Sequence, residues 1–464
     1  MAQASAFEQY LLEQINHARL APQENFARYI SSYDPLMSAE QSVQTALTWY
    51  DVSGSVLQRQ VRALQPTDPV AWSSALNDAA TGHSEQMVET GIQAHTIGQS
   101  TVVSRIGAAG YAFTALAENV CAYADSALHA HAAFMVDWGR TDTGIQDGAG
   151  HRTNIMNPTY REVGIGVVEG VDRASADVGP NVVTQDFGTS VGLPETIVLG
   201  VARDETDGDG FYSIGEGRGG VSVRIAGGQS TTTAKAGGYR LDTSEGEQTV
   251  IFSGGGLDRA VKVIADLHAG SAKLDLVDGR LLETSVDLTL GKGARNAAFI
   301  GDTGTTLTGN GAKNRLEGNG LGNDLSGGDG NDRLFGYGGS DRLAGGRGAD
   351  VLKGGKGRDD LLGHGGNDIL DGGTGNDLLT GGKGADTFRF GGRAFGTDTI
   401  TDLGATDMVE ISAKGEAETR STLKAALTNG PDGAVYDHLG DGENVILFQG
   451  VARADLDLGQ FDFG

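Results

Sequence analysis

Seven aspartates recur at one interval in the C-terminal half of this 464-residue chain: Asp332, Asp341, Asp350, Asp359, Asp368, Asp377 and Asp386. Side chains repeated in phase are stacked in phase when a chain coils on itself. Carboxylates stacked about one strand spacing apart (~4.8 Å) repel one another unless a cation lies between them. Carboxylate and backbone carbonyl oxygens are hard ligands suited to Ca2+. A second acidic pattern lies upstream, in Glu205-Thr-Asp-Gly-Asp-Gly-Phe-Tyr-Ser-Ile-Gly-Glu216. Glu205, Asp207, Asp209 and Glu216 take positions 1, 3, 5 and 12, and Gly takes position 6, as in a twelve-residue calcium loop. Position 1 is more often Asp, and no helix pattern flanks the loop, so an acidic turn is the alternative reading.

The elements that must position the aspartates are legible in the same stretch. From Gly309 the chain reads in unbroken blocks of nine: GNGAKNRLE, GNGLGNDLS, GGDGNDRLF, GYGGSDRLA, GGRGADVLK, GGKGRDDLL, GHGGNDILD, GGTGNDLLT and GGKGADTFR. The eighth position is Leu from Leu316 to Leu379 and then Phe388; the sixth is Asn314 and Asn323 before the aspartates begin. Nine residues suffice for one Gly-rich turn and one short strand with a single inward apolar side chain. Such a unit has no core of its own, so units must stack. A flexible linker would not keep Leu and Asp in phase. The pattern resembles the RTX nonapeptide of calcium-binding parallel β-rolls. That resemblance implies alternating sides, with ions shared between Asp332/Asp350, Asp341/Asp359, Asp350/Asp368, Asp359/Asp377 and Asp368/Asp386. Asn314 and Asn323 read as weak caps. Without Ca2+ the segment is expected to be disordered, because its ligand charges are unpaired.

Downstream, "GADTF", Thr397-Asp-Thr-Ile-Thr-Asp-Leu403, Asp407-Met-Val-Glu-Ile-Ser412 and a terminal Phe461-Asp-Phe463 resemble the C-terminal segment of serralysin-type proteases. The resemblance implies an uncleaved signal for type I secretion through an ABC transporter. The protease itself is missing, since no H-E-x-x-H motif occurs. The N-terminus shows no basic stretch followed by an apolar one, so an N-terminal export signal is not expected. Export from a Gram-negative cell would then rest on the C-terminal segment.

The N-terminal part alternates helical and strand patterns. Leu76, Ala79, Ala80, His83 and Met87 form one helical stripe that Gly91 ends, and Val163–Val168 and Val182–Phe187 alternate as strands. "LNDAATGHSEQM", "AHT", "AAGY", "AENV", "GHRTNIMNP", "EVGIGV" and "TQDFG" follow in order between Leu76 and Gly188. They resemble the CAP superfamily of cysteine-rich secretory, antigen 5 and pathogenesis-related proteins, in its bacterial form. The resemblance implies an α-β-α sandwich with a cleft holding His95, Glu118 and His151, and an insertion over 25–70. Two imidazoles and a carboxylate would hold Zn2+ with an open position, or work as acid and base. The family's W-x-x-E acid is absent after Trp138, leaving Asp142 or Asp147 as substitutes. His83 reads as a packed core histidine. His129 and His131, two apart on a helix, do not face one site. Cys121 reads as buried, with no base beside it in sequence.

Between these parts, Val221–Ile225 and Gln248–Phe252 alternate as strands and helix signals are absent, which predicts a small β-sandwich. With "GGVSV" and "AGGYRL" it resembles B-type repeat domains of bacterial adhesins. The expected fold class is multidomain, α+β and all-β. It comprises a CAP-like domain over 1–190, a β-sandwich over 191–298, a parallel β-roll over 299–390 and a secretion segment with a β cap over 391–464.

Composition narrows the function. Net charge is −26, which disfavours nucleic acid as a partner. One Cys excludes an internal disulfide framework. No apolar run reaches the ~18 residues of a membrane-spanning helix. Of 75 glycines, 26 fall within 309–389, a stretch whose net charge is only −2. The sequence thus predicts a secreted protein binding several Ca2+ ions, with its CAP domain a binding module for an unidentified extracellular ligand. Two other readings stand beside it: a metal-dependent hydrolase, and a matrix or adhesion protein.

Overall fold

The computed structural model describes residues 3–170, 178–391, 394–412, 420–437 and 442–462. The expected terminal Phe463 lies outside them. The chain forms two compact units. One comprises 1–246, 252–258 and 267–279; the other comprises 247–251, 259–266 and 280–464.

In the first unit a four-stranded sheet runs Ala71–Trp72, Glu162–Glu169, Asn181–Ser190, Phe113–Ala124. The strand Glu162–Glu169 shows why helices cover both faces. Val163 and Ile165 point into a core shared with Leu11, Leu12 and Ile15 of the helix Ala6–Leu20. Gly164 and Gly166 point the other way, where a Cβ would collide with the backbone of Asn77 and Thr81. The missing side chains let the helix Ser74–Thr90 lie directly on the strand. Ser73 caps that helix and Gly91, at φ 68°, ends it. The fold is thus the α-β-α arrangement that the sequence implied.

The same unit includes strands from the following segment. Thr196–Arg203 pairs with Gly238–Thr243 antiparallel and with Ala272–Val277 in parallel. Residues 191–298 contain strands and no helix. Two ion clusters tie these strands to the sandwich. Lys273 reaches Glu13 at 2.6 Å and also Asp275, and all three are buried. Arg240 reaches Glu162 at 2.6 Å, and Glu162 accepts a hydrogen bond from the Tyr111 hydroxyl at 2.7 Å.

In the second unit the nonapeptides wind as a parallel β-solenoid of about seven turns. One ladder stacks Leu316, Leu334, Leu352, Leu370 and Phe388; the other stacks Leu325, Leu343, Leu361 and Leu379. All nine are fully buried. The parallel ladder also extends beyond the repeats, upstream through Asn296–Phe299 and downstream through Thr397–Ile400 and Met408–Ser412.

Two predictions follow from this packing. Lys273→Met leaves two buried carboxylates facing each other, so chemical denaturation should show a loss of about 3–5 kcal/mol in the N-terminal unit. Gly348 sits at φ 132° with Gly330 O where its Cβ would be, whereas Gly311 faces open space. Gly348→Ala should therefore cost the calcium-loaded roll about 1–3 kcal/mol in thermal unfolding, and Gly311→Ala almost nothing.

Candidate functional site

The in-phase aspartates form two ladders, one along each edge of the solenoid. Each rung's backbone N–H donates to the Oδ1 of the residue one full turn ahead. Asn314 donates to Asp332, Asp332 to Asp350, Asp350 to Asp368, and Asp368 to Asp386. Along the other edge the order is Asn323, Asp341, Asp359 and Asp377. All seven of these bonds measure 2.7–2.9 Å. These are the i, i+18 pairs expected from the repeat.

The second oxygen decides the chemistry. Oδ2 of all seven aspartates is buried and has no hydrogen-bond partner. Each residue is at most 2% exposed. Each Oδ2 occupies the space beside the first Gly of its block, from Gly327 to Gly381, where a Cβ would fill the cradle. In four of the cradles a carbonyl of the next turn converges on the same space, those of Gly345, Gly354, Gly372 and Gly381. A buried anionic oxygen beside carbonyl oxygens, with no donor, is a donor set for a hard cation. Asn314 and Asn323 differ at this point. Their amide nitrogens donate to the carbonyls of Arg295 and Gly304, so the first rungs close without an ion.

Burial, with the charge of neighbouring rungs adding to it, pushes these carboxyls upward. Asp332 and Asp377 rise to about 6, and Asp341 and Asp368 to about 7. Asp350, Asp359 and Asp386 are also raised by burial. A carboxyl whose folded pKa exceeds its unfolded value takes up a proton on folding. The metal-free fold therefore loses stability as pH rises from about 4 through those values.

The acidic loop sits in the first unit. Ligand atoms of Glu205, Asp207 and Asp209 lie within 4.8 Å of one another. Glu216 does not join them. Its carboxylate accepts the N–H groups of Thr206 and Ser213, at 2.7 and 2.8 Å, and so staples the loop shut. Counter-charges already stand nearby: Arg203 pairs with Glu205, and Arg28 with Asp209 at 2.9 Å. Arg28 also lies 3.9 Å over the Phe211 ring.

In the sandwich, His95 and His151 belong to two separate histidine–carboxylate pairs. His95 Nδ1 lies 2.9 Å from Glu118, whose other oxygen is held by Arg105. Burial alone would raise Glu118, but His95 and Arg105 outweigh it and hold the carboxyl below its usual range. His151 Nδ1 lies 2.8 Å from Asp137, which also accepts the His151 backbone N–H. Among the described residues, no three ligand atoms that include His95, Glu118 or His151 lie within 4.8 Å of one another. The expected three-residue zinc set is therefore not assembled. Asp142 and Asp147 are exposed; the carboxylate beside His151 is Asp137 instead.

Asp137 escaped the sequence reading because it precedes Trp138 instead of following it. A π-helical turn, Ala133–Asp137, and a left-handed φ of 59° aim its buried side chain at His151. Asp186 was missed as well. It lies opposite Glu118 in the sheet, is fully buried, and neither carboxylate oxygen has a hydrogen-bond partner. Burial, then the charge of Glu118, raises its pKa well above the usual carboxylate range.

His83 is fully buried, as expected, yet its Nε2 lies 3.8 Å from Glu118 and 2.8 Å from the Ala94 carbonyl. His129 and His131 do turn to different partners, Asp125 and Asn25. Cys121 is partly exposed as a residue, while burial pushes its thiol up to about 11, which leaves it unreactive.

Circular dichroism of the chain in chelator tests the raised carboxyls. Without Ca2+ the folded roll should gain stability, and with it β-structure, as pH falls from about 8 to about 5. Metal-free β-structure that does not change over that range would contradict the raised carboxyls.

Two protein families match parts of the chain. Residues 57–187 match the cysteine-rich secretory protein (CAP) family. Residues 317–352, 335–370 and 362–392 match the RTX calcium-binding nonapeptide repeat. No curated protein matches the chain. Among solved structures, an extracellular SCP-domain protein of Bacillus anthracis is 19% identical, over 33% of this chain and 44% of its own, with a TM-score of 0.21. An outer surface protein of Borrelia burgdorferi is 12% identical over 33% of this chain and 97% of its own, with a TM-score of 0.22. An extracellular lipase of Serratia marcescens is 18% identical over 37% of this chain and 41% of its own, with a TM-score of 0.19. The chain carries a CAP domain followed by RTX calcium-binding repeats.

Proposed function

We propose that this is a secreted calcium-binding protein that leaves a Gram-negative cell through a type I ABC transporter and presents its CAP domain outside. The observation that carries the reading is the set of seven buried Oδ2 atoms without a partner. In low Ca2+ those charges oppose burial, so the repeats stay unfolded and can thread a channel. Outside, Ca2+ binds the folded state alone and draws the chain into it by mass action. Among the described residues no helix is long and apolar enough to cross a membrane. The division into CAP domain, β-sandwich, roll and secretion segment, at about the boundaries read from sequence, is part of the same proposal.

The acidic loop is a second calcium site in this reading, with Glu205, Asp207 and Asp209 as ligands and Glu216 as the staple. Phe211 of this loop packs against Tyr10 and His17 of the first helix, so an ion here would fix the adhesin-like strands to the CAP domain.

For the CAP domain we favour a binding module for an extracellular ligand over a hydrolase. Each imidazole is tethered at Nδ1 by its own carboxylate, which fixes its ring; three-ligand zinc chemistry needs both imidazoles and a carboxylate to converge on one ion. A Zn2+-dependent hydrolase remains the second reading, because a histidine tethered by a carboxylate at one nitrogen is also the usual support for a metal ligand. Zn2+ titration separates the two. Binding that is lost in both His95→Ala and His151→Ala favours the hydrolase, and no binding favours the module.

Secretion is tested by co-expressing the chain with a type I exporter. The full chain should reach the medium, and deletion of 391–464 should keep it inside the cells. Equal secretion of the two forms would overturn the export proposal.

A further inference from the structure

The nonapeptide register ends at Phe388, but the structural repeat does not. The next turn on the Asp341 edge is closed by Asp398, 21 residues after Asp377 instead of 18. Four independent features make it a rung. The Asp377 N–H donates to Asp398 Oδ1 at 2.8 Å, within the range of the other rungs. Asp398 is 1% exposed. Thr397 N donates to Asn376 Oδ1 at 2.9 Å, as Ala349 does to Asn331 and Ala385 to Asn367 one turn apart. Gly396, at φ 93°, has the carbonyl of Gly375 where its Cβ would be, as Gly375 and Gly384 have those of Gly357 and Gly366. The inward side chain of this turn is the fully buried Ile400, stacked on Leu379.

We propose that this turn completes one more Ca2+ site, shared between the cradle of Asp377 and the turn that ends at Asp398. The second observation pointing to an ion is Asp377 Oδ2, buried beside Gly372 with no hydrogen-bond partner among the described residues. On the opposite edge Asp407 accepts the Asp386 N–H on Oδ1 and the Gly404 N–H on Oδ2, while Asp386 Oδ2 is buried without a partner, as Asp377 Oδ2 is. With this site the calcium ladder runs one rung further on the Asp398 edge, outside the stretch that matches the repeat family. Its consequence is specific. Thr397–Ile400 pairs in parallel with Val445–Gln449, so the ion would order a strand of the C-terminal segment as well as the repeats.

The inference rests on the calcium reading of the roll, and the test separates the two. Asp398→Asn keeps the Oδ1 acceptor that Asp377 uses, as Asn314 and Asn323 do at the other end. Equilibrium dialysis of the full chain against Ca2+ should show one ion fewer than wild type. Asp359→Asn, inside the repeats, serves as the control. Loss in Asp359→Asn with an unchanged count in Asp398→Asn overturns this proposal and leaves the roll standing. A wild type that takes up no Ca2+ overturns both. If Asp398→Asn fails to fold, anomalous diffraction from wild-type crystals grown in Ca2+ gives the answer: a peak beside Asp377 Oδ2 supports the site, and its absence while the Asp359 cradle is filled overturns it.

Discussion

The C-terminal unit depends on burying a column of carboxylates of which each has one oxygen bonded and one left over. Oδ1 is tied to a backbone N–H of the preceding turn, so the aspartate cannot swing out to water without breaking the ladder. Oδ2 is then held in a cradle lined by Gly Cα atoms and carbonyls. An unpaired buried charge costs several kcal/mol, and the single inward Leu of each nonapeptide returns about 1.5–3 kcal/mol. The apolar column alone does not cover that cost. A divalent cation changes the sign, because it supplies the missing partner at every rung.

The N-terminal unit solves the same problem with its own side chains. Glu118 is met by His95 and Arg105, Asp137 by His151, Glu162 by Tyr111 and Arg240, and Glu13 by Lys273. Asp186 stands apart: burial and the charge of Glu118 disfavour its charged form. The other carboxylates named here therefore have partners without a metal, whereas the Oδ2 atoms of the roll do not.

Much of this was legible in the sequence. The Leu and Asp registers gave the two-sided solenoid and the i, i+18 pairing, because a strict period leaves the chain one way to stack. Asn314 and Asn323 read as weak caps, but the parallel ladder continues upstream of them; what sets them apart is an amide that brings its own donor. "EVGIGV" gave a strand with one apolar face, but the helix resting on Gly164 and Gly166 needed coordinates. The cleft was less legible. His95 and Glu118 do pair, whereas His151 takes Asp137, whose approach depends on a π turn and a left-handed backbone that no spacing rule encodes. Asp398 was hidden by an insertion of three residues, which breaks the period and leaves the turn intact. Glu216 occupies the right position of a calcium loop, yet its oxygens are spent on the loop's own N–H groups.

The central claim is that the roll exists as a folded element because of Ca2+. Hydrogen exchange of the full chain, followed by peptide with and without Ca2+, tests it most directly. The account predicts fast exchange across 324–391 in chelator and strong protection on adding Ca2+, while the buried helices and strands of the N-terminal unit stay protected in both. Equal protection of 324–391 with and without Ca2+ would contradict it.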